Sequence, residues 1–277
     1  QRMVNLYPEQ DPDGRITLYG TPGLRLFATL GTGPVRGLCV ADNTLYAVSG
    51  AGVYRVDASG TATLMGSIGT TSGIVSMSNN GQQIQIVDGS PSGYLITLAS
   101  NTLSKITDPD FPGGVKNAFL DGFTLFNQPG TGKFWATSAY GAGLIDPLDF
   151  ATAEGAPDPL VSLIVDHREI WLLGTESIEV WYNAGNPDFP FERINGAFLE
   201  HGCAAAHSVE KIDNTVFWLG RDDKGQGMVW RAEGYSPRRV STHELETKIS
   251  NYSRIDDAVS WTYQQDGHSF YVLSFPS

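Results

Sequence analysis

The sequence predicts an all-β fold: a β-propeller of about six four-stranded blades, with one short helix near residues 242–252. Two observations lead to this prediction. Gly (32) and Pro (15) are abundant among the 277 residues and charged residues make up only 17%, a composition typical of many short strands joined by tight turns. In addition, one turn-and-strand pattern recurs along the chain at a spacing typical of propeller blades.

The recurring unit is a turn containing Asp, Asn or Gly followed by an apolar strand. Its six copies have their first core residues 39, 39, 47, 46 and 54 residues apart, at Leu45, Ile84, Phe123, Ile170, Val216 and Phe270. A second strand follows in five copies, so each unit is expected to form a small antiparallel meander. Such a sheet must stack on neighbours to bury both faces. A two-sheet sandwich is the alternative architecture, but it does not explain a period of about 40–50 residues.

The pattern divides the chain into an arm and a propeller. Residues 1–30, rich in Pro and Gly, are expected to form an extended N-terminal arm, and residues 31–277 the propeller domain. The blades are predicted near residues 36–68, 73–107, 113–150, 158–195, 203–241 and 254–277, the last one partial. Because the chain opens on Gln1 and stops directly after a strand pattern, we expect a segment of a longer protein. The segment Ile16–Tyr19 or further C-terminal strands would then complete the sixth blade.

The single helix is predicted from its start signal and its apolar spacing. Ser241 to Glu244 has the form of a capping box. Leu245, Ile249 and Tyr252 follow at intervals that place them on one face. We expect this face to pack on the propeller.

Charge and cysteine content exclude some classes of function. The formal net charge is −12, from 18 Lys and Arg against 30 Asp and Glu, which repels nucleic acid and anionic membranes. The sequence has no apolar run of membrane-spanning length, so no membrane anchor is predicted. Cys39 and Cys203 lie in apolar, strand-like contexts. They are expected to be buried free thiols, with a disulfide as the alternative.

Residues for catalysis, cofactors or metals are not predicted. The acidic pairs, which glycoside hydrolysis would need, all lie in polar turn contexts: Asp108 with Asp110, Asp222 with Asp223, and Asp256 with Asp257. The five histidines lack metal-ligand spacing, and no nucleophile elbow or phosphate-binding loop occurs. The chain is therefore not predicted to be an enzyme.

Aromatic residues allow two readings. Trp171, Trp181, Trp218 and Trp230 lie in predicted strands and are expected to pack between blades rather than to line a ligand pocket. Two Pro-Asp-Phe-Pro loops, at 109–112 and 187–190, are candidates for partner contact. The candidate residues are Phe111, Phe189, Phe191 and Arg193. The alternative is that these rings plug the ends of blades.

From Asp166 onward the chain resembles a known family. Gly174 to Ser177 followed by Ile178-Glu-Val-Trp-Tyr182 matches the strand, turn and Ser/Thr-Ile-Glu-aromatic strand of the packaged-DNA stabilisation proteins of short-tailed bacteriophages, also called tail hub or nozzle proteins. The stretch from Ser236-Pro237 to Tyr252 is similar to their Ser-Pro strand and capped helix. Weaker similarities occur at Val4–Pro8 and Tyr19–Gly23.

The resemblance implies a structural virion protein of a phage tail, assembled in the bacterial cytoplasm, without cofactors or catalytic residues. Such a protein extends the DNA channel below the portal and adaptor, retains packaged DNA and takes part in ejection. Its implied partners are the portal adaptor and tail needle or fibre components, with copies of the chain forming a ring. DNA would pass through without specific binding, and acidic channel walls would let it slide. The alternatives are a propeller that binds or cleaves host glycan and a host-encoded interaction scaffold.

Overall fold

The computed structural model describes residues 4–222 and 224–277 and shows an all-β chain with one short helix. Five sheets have four antiparallel strands each, in sequence order, and two sheets have two strands. The predicted fold class is confirmed. The described residues contain no helix long and apolar enough to cross a membrane.

The first sheet is a hairpin near the N-terminus. Its strands are β1 (Leu6–Gln10) and β2 (Ile16–Gly20). Whether residues 1–30 and 31–277 behave as separate units stays a prediction.

Five four-stranded sheets follow, which we number as blades 1 to 5. Blade 1 comprises β3 (Val35–Ala41), β4 (Thr44–Ser49), β5 (Gly52–Val56) and β6 (Ala62–Ser67). Blade 2 comprises β7 (Ser76–Asn79), β8 (Gln83–Val87), β9 (Tyr94–Thr97) and β10 (Thr102–Lys105). Blade 3 comprises β11 (Asn117–Leu120), β12 (Phe123–Asn127), β13 (Lys133–Ala136) and β14 (Phe150–Thr152).

The chain continues into the last blades and the helix. Blade 4 comprises β15 (Leu160–Asp166), β16 (Glu169–Gly174), β17 (Ile178–Asn183) and β18 (Phe191–Leu199). Blade 5 comprises β19 (Glu210–Ile212), β20 (Thr215–Arg221), β21 (Gly227–Glu233) and β22 (Ser236–Arg239). The helix α1 (His243–Ile249) precedes the two-stranded sheet of β23 (Val259–Gln265) and β24 (His268–Ser274), which we call blade 6.

The first strand of each blade lies nearest the propeller axis. Strand β3 contacts β7, β7 contacts β11, β11 contacts β15, and β19 contacts β23. The turn between the first and second strand has two residues with positive φ in five of the six blades, as at Asp42-Asn43 (47° and 56°) and Asp266-Gly267 (50° and 81°). Such two-residue turns match the twist of a hairpin. The predicted turn residues therefore set the register of the meanders.

The cores lie between blades rather than within them. One cluster joins blades 4 and 5 and contains Trp171 and the fully buried Trp218, with Trp230 packed against it. Another joins blades 3 and 4, where Trp181 meets Phe134 edge to face at 5.2 Å. The predicted role of the four tryptophans in packing between blades is confirmed. Blade 5 packs in the same way on blade 6 and α1.

The helix begins one residue later than the capping-box pattern predicts. Thr242, not Ser241, is the N-cap, and its side chain accepts from the Leu245 N–H. The Ser241 hydroxyl instead donates to the carboxylate of Glu246, whose residue is buried. Ser241, which fits the capping-box pattern in the sequence, lies one position before the N-cap. The predicted capping box from Ser241 to Glu244 was therefore wrong. Ile249 is buried against the propeller as predicted.

Both cysteines are free thiols. Cys203 is buried, whereas Cys39 is only half-buried. Burial raises the pKa of each thiol to about 11, so both stay protonated and unreactive at neutral pH.

Candidate interaction surfaces and the axial cavity

The two Pro-Asp-Phe-Pro loops place their phenylalanines against the propeller. Phe111 is buried with its ring 5.2 Å from that of Phe126. Phe191 is buried as well, and Phe189 is half-buried with its ring 5.6 Å from that of Phe134. This placement favours the plug alternative for the three rings. Their contact with a partner stays a proposal.

Arg193, the fourth candidate, is 45% exposed. Its guanidinium lies 3.5 Å from a carboxylate oxygen of Glu179, whose side chain is only 2% exposed. The Arg193 side chain is therefore paired with Glu179 and is still exposed enough to contact another protein.

The motif that carries the family resemblance is an anchoring site. Glu179 accepts from the Trp181 indole N–H at 2.9 Å and from the Gly155 backbone N–H. Ser177 donates its hydroxyl to Asp158 at 3.0 Å. These hydrogen bonds connect the loop before blade 4 to the third strand of that blade. The residues of the motif therefore stabilise the fold of blade 4.

Sequence reasoning missed the residue that joins blades 1 and 2. Arg36 is buried, and its guanidinium donates to the backbone oxygens of Gly50, Thr70, Ser72 and Gly73 at 2.6–2.8 Å. It also donates to the Thr70 hydroxyl at 2.8 Å and lies 4.0 Å from Asp88. The only available signal was an arginine within an apolar strand pattern.

A cavity of about 470 Å³ lies where the first strands of the blades converge. Its polar lining includes Lys116, His207 and Glu210, and its apolar lining includes Leu38 and Trp261. Within the described residues, no side-chain hydrogen bond is seen for Lys116 or His207, whereas the Glu210 carboxylate accepts from the Lys211 backbone N–H. The axis thus carries three titratable groups.

Burial perturbs all three groups. It lowers the pKa of Lys116 and raises that of Glu210, the two charges opposing these shifts. Burial, together with the Lys116 charge, lowers the pKa of His207 to about 3. In each case burial favours the neutral form, although the three residues are half-buried rather than fully enclosed.

This cavity is too small to pass duplex DNA. The major groove of B-DNA is about 8.5 Å deep, so the duplex has a radius of at least about that size, and a cavity of 470 Å³ would hold only about 2 Å of its length. Within the axis lining the one carboxylate, Glu210, shares the cavity with Lys116 and His207. The lining of this axial cavity is therefore not predominantly acidic, and acidic walls of a DNA channel stay a prediction.

The N-terminal segment links blade 6 to blade 1. Tyr7 on β1 contacts Phe270 on β24, with ring centroids 5.0 Å apart, and Glu9 lies 3.5 Å from His268. Farther along, Leu30 packs in a core cluster with residues of blade 1. No backbone ladder pairs β1 or β2 with blade 6 in the described part of the chain. The end blades are connected through side chains.

Blade 1 and the segment before it expose apolar side chains. Leu38 and Val40 on β3 are exposed, as is Leu64 on β6, all in blade 1. Leu24 and Leu26, in the segment that leads to blade 1, are exposed too. Where such side chains lie together, they commonly mark contact surfaces between proteins.

The acidic pairs serve local structure. Asp108 accepts from the Asp110 and Ile145 N–H groups, and Asp222 accepts from the Lys224 and Gln226 N–H groups. Asp256 pairs with Arg254, and Asp223 lies outside the described residues. Within residues 4–222 and 224–277, no group of three or more His, Cys, Asp and Glu side chains is placed to hold a metal ion.

Radially stacked four-stranded sheets joined by cores between blades define the class: the protein is a β-propeller. Residues 2–277 match the family model of the phage stabilisation proteins, described as "Bacteriophage P22 Gp10, beta-propeller". The match spans nearly the whole chain, so the chain belongs to this family. The resemblance seen in the sequence is confirmed.

Solved structures agree on the fold. The β-propeller domain of Cps50 (Swd1) from Myceliophteria thermophila is 11% identical, with a TM-score of 0.59 over 86% of this chain and 82% of that one. The extracellular domain of a putative one component system from B. thetaiotaomicron is 10% identical, with a TM-score of 0.56 over 97% of this chain and 38% of that one. At these identities the likeness concerns the fold alone. No curated protein matches the sequence.

Proposed function

We propose that the protein is a structural component of a phage tail, the tail hub or nozzle, which retains packaged DNA and takes part in its ejection. The match of residues 2–277 to the phage stabilisation family carries this proposal. Its place is below the portal and adaptor in the virion, after assembly in the bacterial cytoplasm.

The size of the axial cavity bears on where DNA would travel. Because a single propeller cannot pass a duplex, we propose that several copies form a ring and that DNA passes between them. The net charge of −12 supports passage without binding, since acidic walls repel the phosphate backbone. The exposed apolar side chains of blade 1 support assembly, because subunit contacts bury such surfaces.

DNA retention in particles lacking the protein tests the proposal. Such particles are expected to package DNA and then lose it, and addition of the purified protein is expected to restore filled particles and infectivity. The purified protein should show no DNA binding at physiological salt. Equal DNA retention with and without the protein, or tight DNA binding, would contradict the proposed role.

Two pairs of variants test the contact surfaces. Leu64→Asp in blade 1 is expected to weaken incorporation into particles, whereas Leu18→Asp, on the exposed hairpin strand β2, serves as the matched control. Arg193→Ala tests the predicted contact of Arg193 with the adaptor, needle or fibre, and Arg55→Ala on β5 is its control. Thermal unfolding of each variant establishes that the propeller is intact. Equal incorporation of test and control variants would show that these surfaces do not contribute to assembly.

A further inference from the structure

A groove of about 930 Å³ lies on the outer side of the propeller between blades 2 and 3. One wall is formed by β9 and β10 and the turn before β8, and the other by the loop at residues 137–149 between β13 and β14. Its volume falls in the range of small-molecule and oligomer binding sites, about 300–1,000 Å³. The groove is separate from the axial cavity.

The loop at 137–149 is held in place by blade 2. The Gln83 side-chain oxygen accepts from the Ala142 N–H at 3.1 Å, and the Gln85 amide donates to the Ala142 carbonyl at 2.6 Å. Asp108 accepts from the Ile145 N–H at 3.1 Å. Both Ala142 and Ile145 are buried. The loop is therefore a fixed wall of the groove.

Tyr140 stands at the tip of this loop in a strained conformation. Its φ is +56°, and the other non-glycine residues with positive φ in the described chain are Asn, Asp, His and Arg. Holding a bulky residue there costs about 1–3 kcal/mol. The Tyr140 N–H donates to the Gly122 carbonyl at 2.7 Å. Strain at a loop tip that is otherwise well bonded points to a role for the side chain.

The Tyr140 ring is placed as a platform. It lies against the backbone of Gly122, where an added Cβ would stand 3.2 Å from the ring, and its centroid is 6.4 Å from that of Phe119. The residue is nevertheless 54% exposed and lines the groove. One side of the ring is thus supported and the rest is free for a ligand.

Polar side chains line the groove beside this ring. Gln82, Ser104 and Lys105 are exposed there, and their side chains have no hydrogen-bond partner within the described residues. Asp42, also in the lining, provides a charge opposite to that of Lys105. The groove therefore combines a planar aromatic surface with amide, hydroxyl and balanced charged groups.

We propose that this groove binds a neutral polysaccharide, with a sugar ring stacked on Tyr140 and its hydroxyls bonded to Gln82, Ser104 and Lys105. A sugar ring has an apolar C–H face and a rim of hydroxyl groups, which this combination complements. An acidic polysaccharide is disfavoured by the net charge of −12. Leu95, Leu98 and Leu144 add apolar area to the lining, and binding of a peptide instead of a saccharide is an outcome of the test. The proposal is independent of DNA retention.

Affinity electrophoresis of the purified protein in dextran, mannan and galactan tests the proposal, with hyaluronate as the acidic comparison. We expect retardation by at least one neutral polymer. Tyr140→Ala should weaken its binding about tenfold, the loss of about 1.4 kcal/mol of stacking. Tyr140→Phe should bind within about twofold of the wild type, because the ring is kept. Tyr182→Ala, at a similarly exposed tyrosine of blade 4, is the matched control and should bind normally.

Gln82→Ala and Ser104→Ala provide a second test that leaves the strained loop untouched. Each is expected to weaken binding about threefold while thermal unfolding stays unchanged. Retardation by hyaluronate alone, no retardation by any neutral polymer, or full binding by Tyr140→Ala would overturn the proposal. If Tyr140→Ala abolished binding of a peptide probe but left binding of the saccharide intact, the proposal would also be overturned. Loss of DNA retention in particles would leave this result unaffected.

Discussion

Trp181 donates its indole N–H to the Glu179 carboxylate at 2.9 Å, two residues earlier on the same strand. Glu179 also accepts the Gly155 N–H and faces the Arg193 guanidinium. A single buried carboxylate therefore connects a loop and two strands of blade 4, at the point where the pairing of β17 with β18 shifts its register. A buried polar group with several partners is costly to remove, because each partner is left unpaired.

Glu179→Ala is expected to lower the free energy of unfolding by about 2–3 kcal/mol. Glu179→Gln, which keeps one acceptor, should cost less. Urea unfolding measures both, and Glu192→Gln on the exposed side of β18 is the control, expected to change stability by less than about 0.5 kcal/mol. A loss for Glu179→Ala no larger than that of the control would contradict the anchoring role.

Arg36→Lys is expected to lower the free energy of unfolding by about 2–3 kcal/mol. Lysine carries three donors, whereas the guanidinium of Arg36 donates to four backbone oxygens and one hydroxyl. The exposed Arg55→Lys on β5 serves as control for the change of residue type. Chemical unfolding of both variants should separate them clearly; equal stability would mean that the extra bonds of Arg36 contribute nothing.

His207 makes stability depend on pH in acid. Its pKa is about 3 in the folded protein and about 6.5 when unfolded, so the unfolded state binds more protons between these values. Its contribution is present above about pH 6.5 and declines as the pH falls toward 3, by up to about 1.4 kcal/mol per pH unit. Glu210, whose pKa is raised, acts in the opposite direction.

Comparing the pH dependence of stability of the wild type with that of His207→Gln separates the contribution of His207 from that of the carboxylates. The variant is expected to lose less stability than the wild type between pH 6.5 and 4.5, measured by thermal unfolding in buffers of equal ionic strength. The Ser260 contacts are made by the backbone oxygen of His207 and should survive the substitution. Parallel pH curves for the two proteins would show that His207 is not held neutral.

Tyr7→Ala is expected to release the N-terminal hairpin from blade 6. The Tyr7 ring contacts those of Tyr19, His268 and Phe270 at centroid distances of 5.0–5.8 Å, and such pairs contribute about 0.5–1.5 kcal/mol each. Hydrogen exchange of residues 6–20 should accelerate while that of blades 2 to 5 stays slow. Leu18→Ala, exposed on the same hairpin, is the control; similar acceleration by it would argue against the ring contacts.

The repeat and its turns were readable from the sequence because both depend on local chemistry. Asp and Asn at positions of positive φ begin strands at a regular period, as at Asp42 and Asp213. The strand tryptophans were also predictable, because large apolar residues in strands pack in cores. The position of the helix followed from its apolar spacing, although its N-cap lies one residue later than predicted.

What the sequence did not reveal depends on contacts between distant residues. In the sequence, Arg36 and Glu179 cannot be distinguished from surface charges, because most of the groups that they bind belong to distant residues. The axial cavity joins side chains from separate blades, such as Lys116 and Glu210, whose separation in the chain hides their proximity. Tyr140 lies in a loop with no repeat pattern. A tyrosine in the sequence does not indicate a positive φ, which is what this residue adopts.

The contact between Tyr7 and Phe270 has a consequence for synthesis of the chain. At about 5–20 residues per second, the first strand leaves the ribosome roughly 10–50 s before its neighbour exists. During that interval the Tyr7 ring lacks its contacts with His268 and Phe270. Blades 1 to 5 can stack as they emerge, whereas the last contact between the ends must wait until residue 270 has been made. The contact that joins the two ends of the chain is therefore the last one that can form during synthesis.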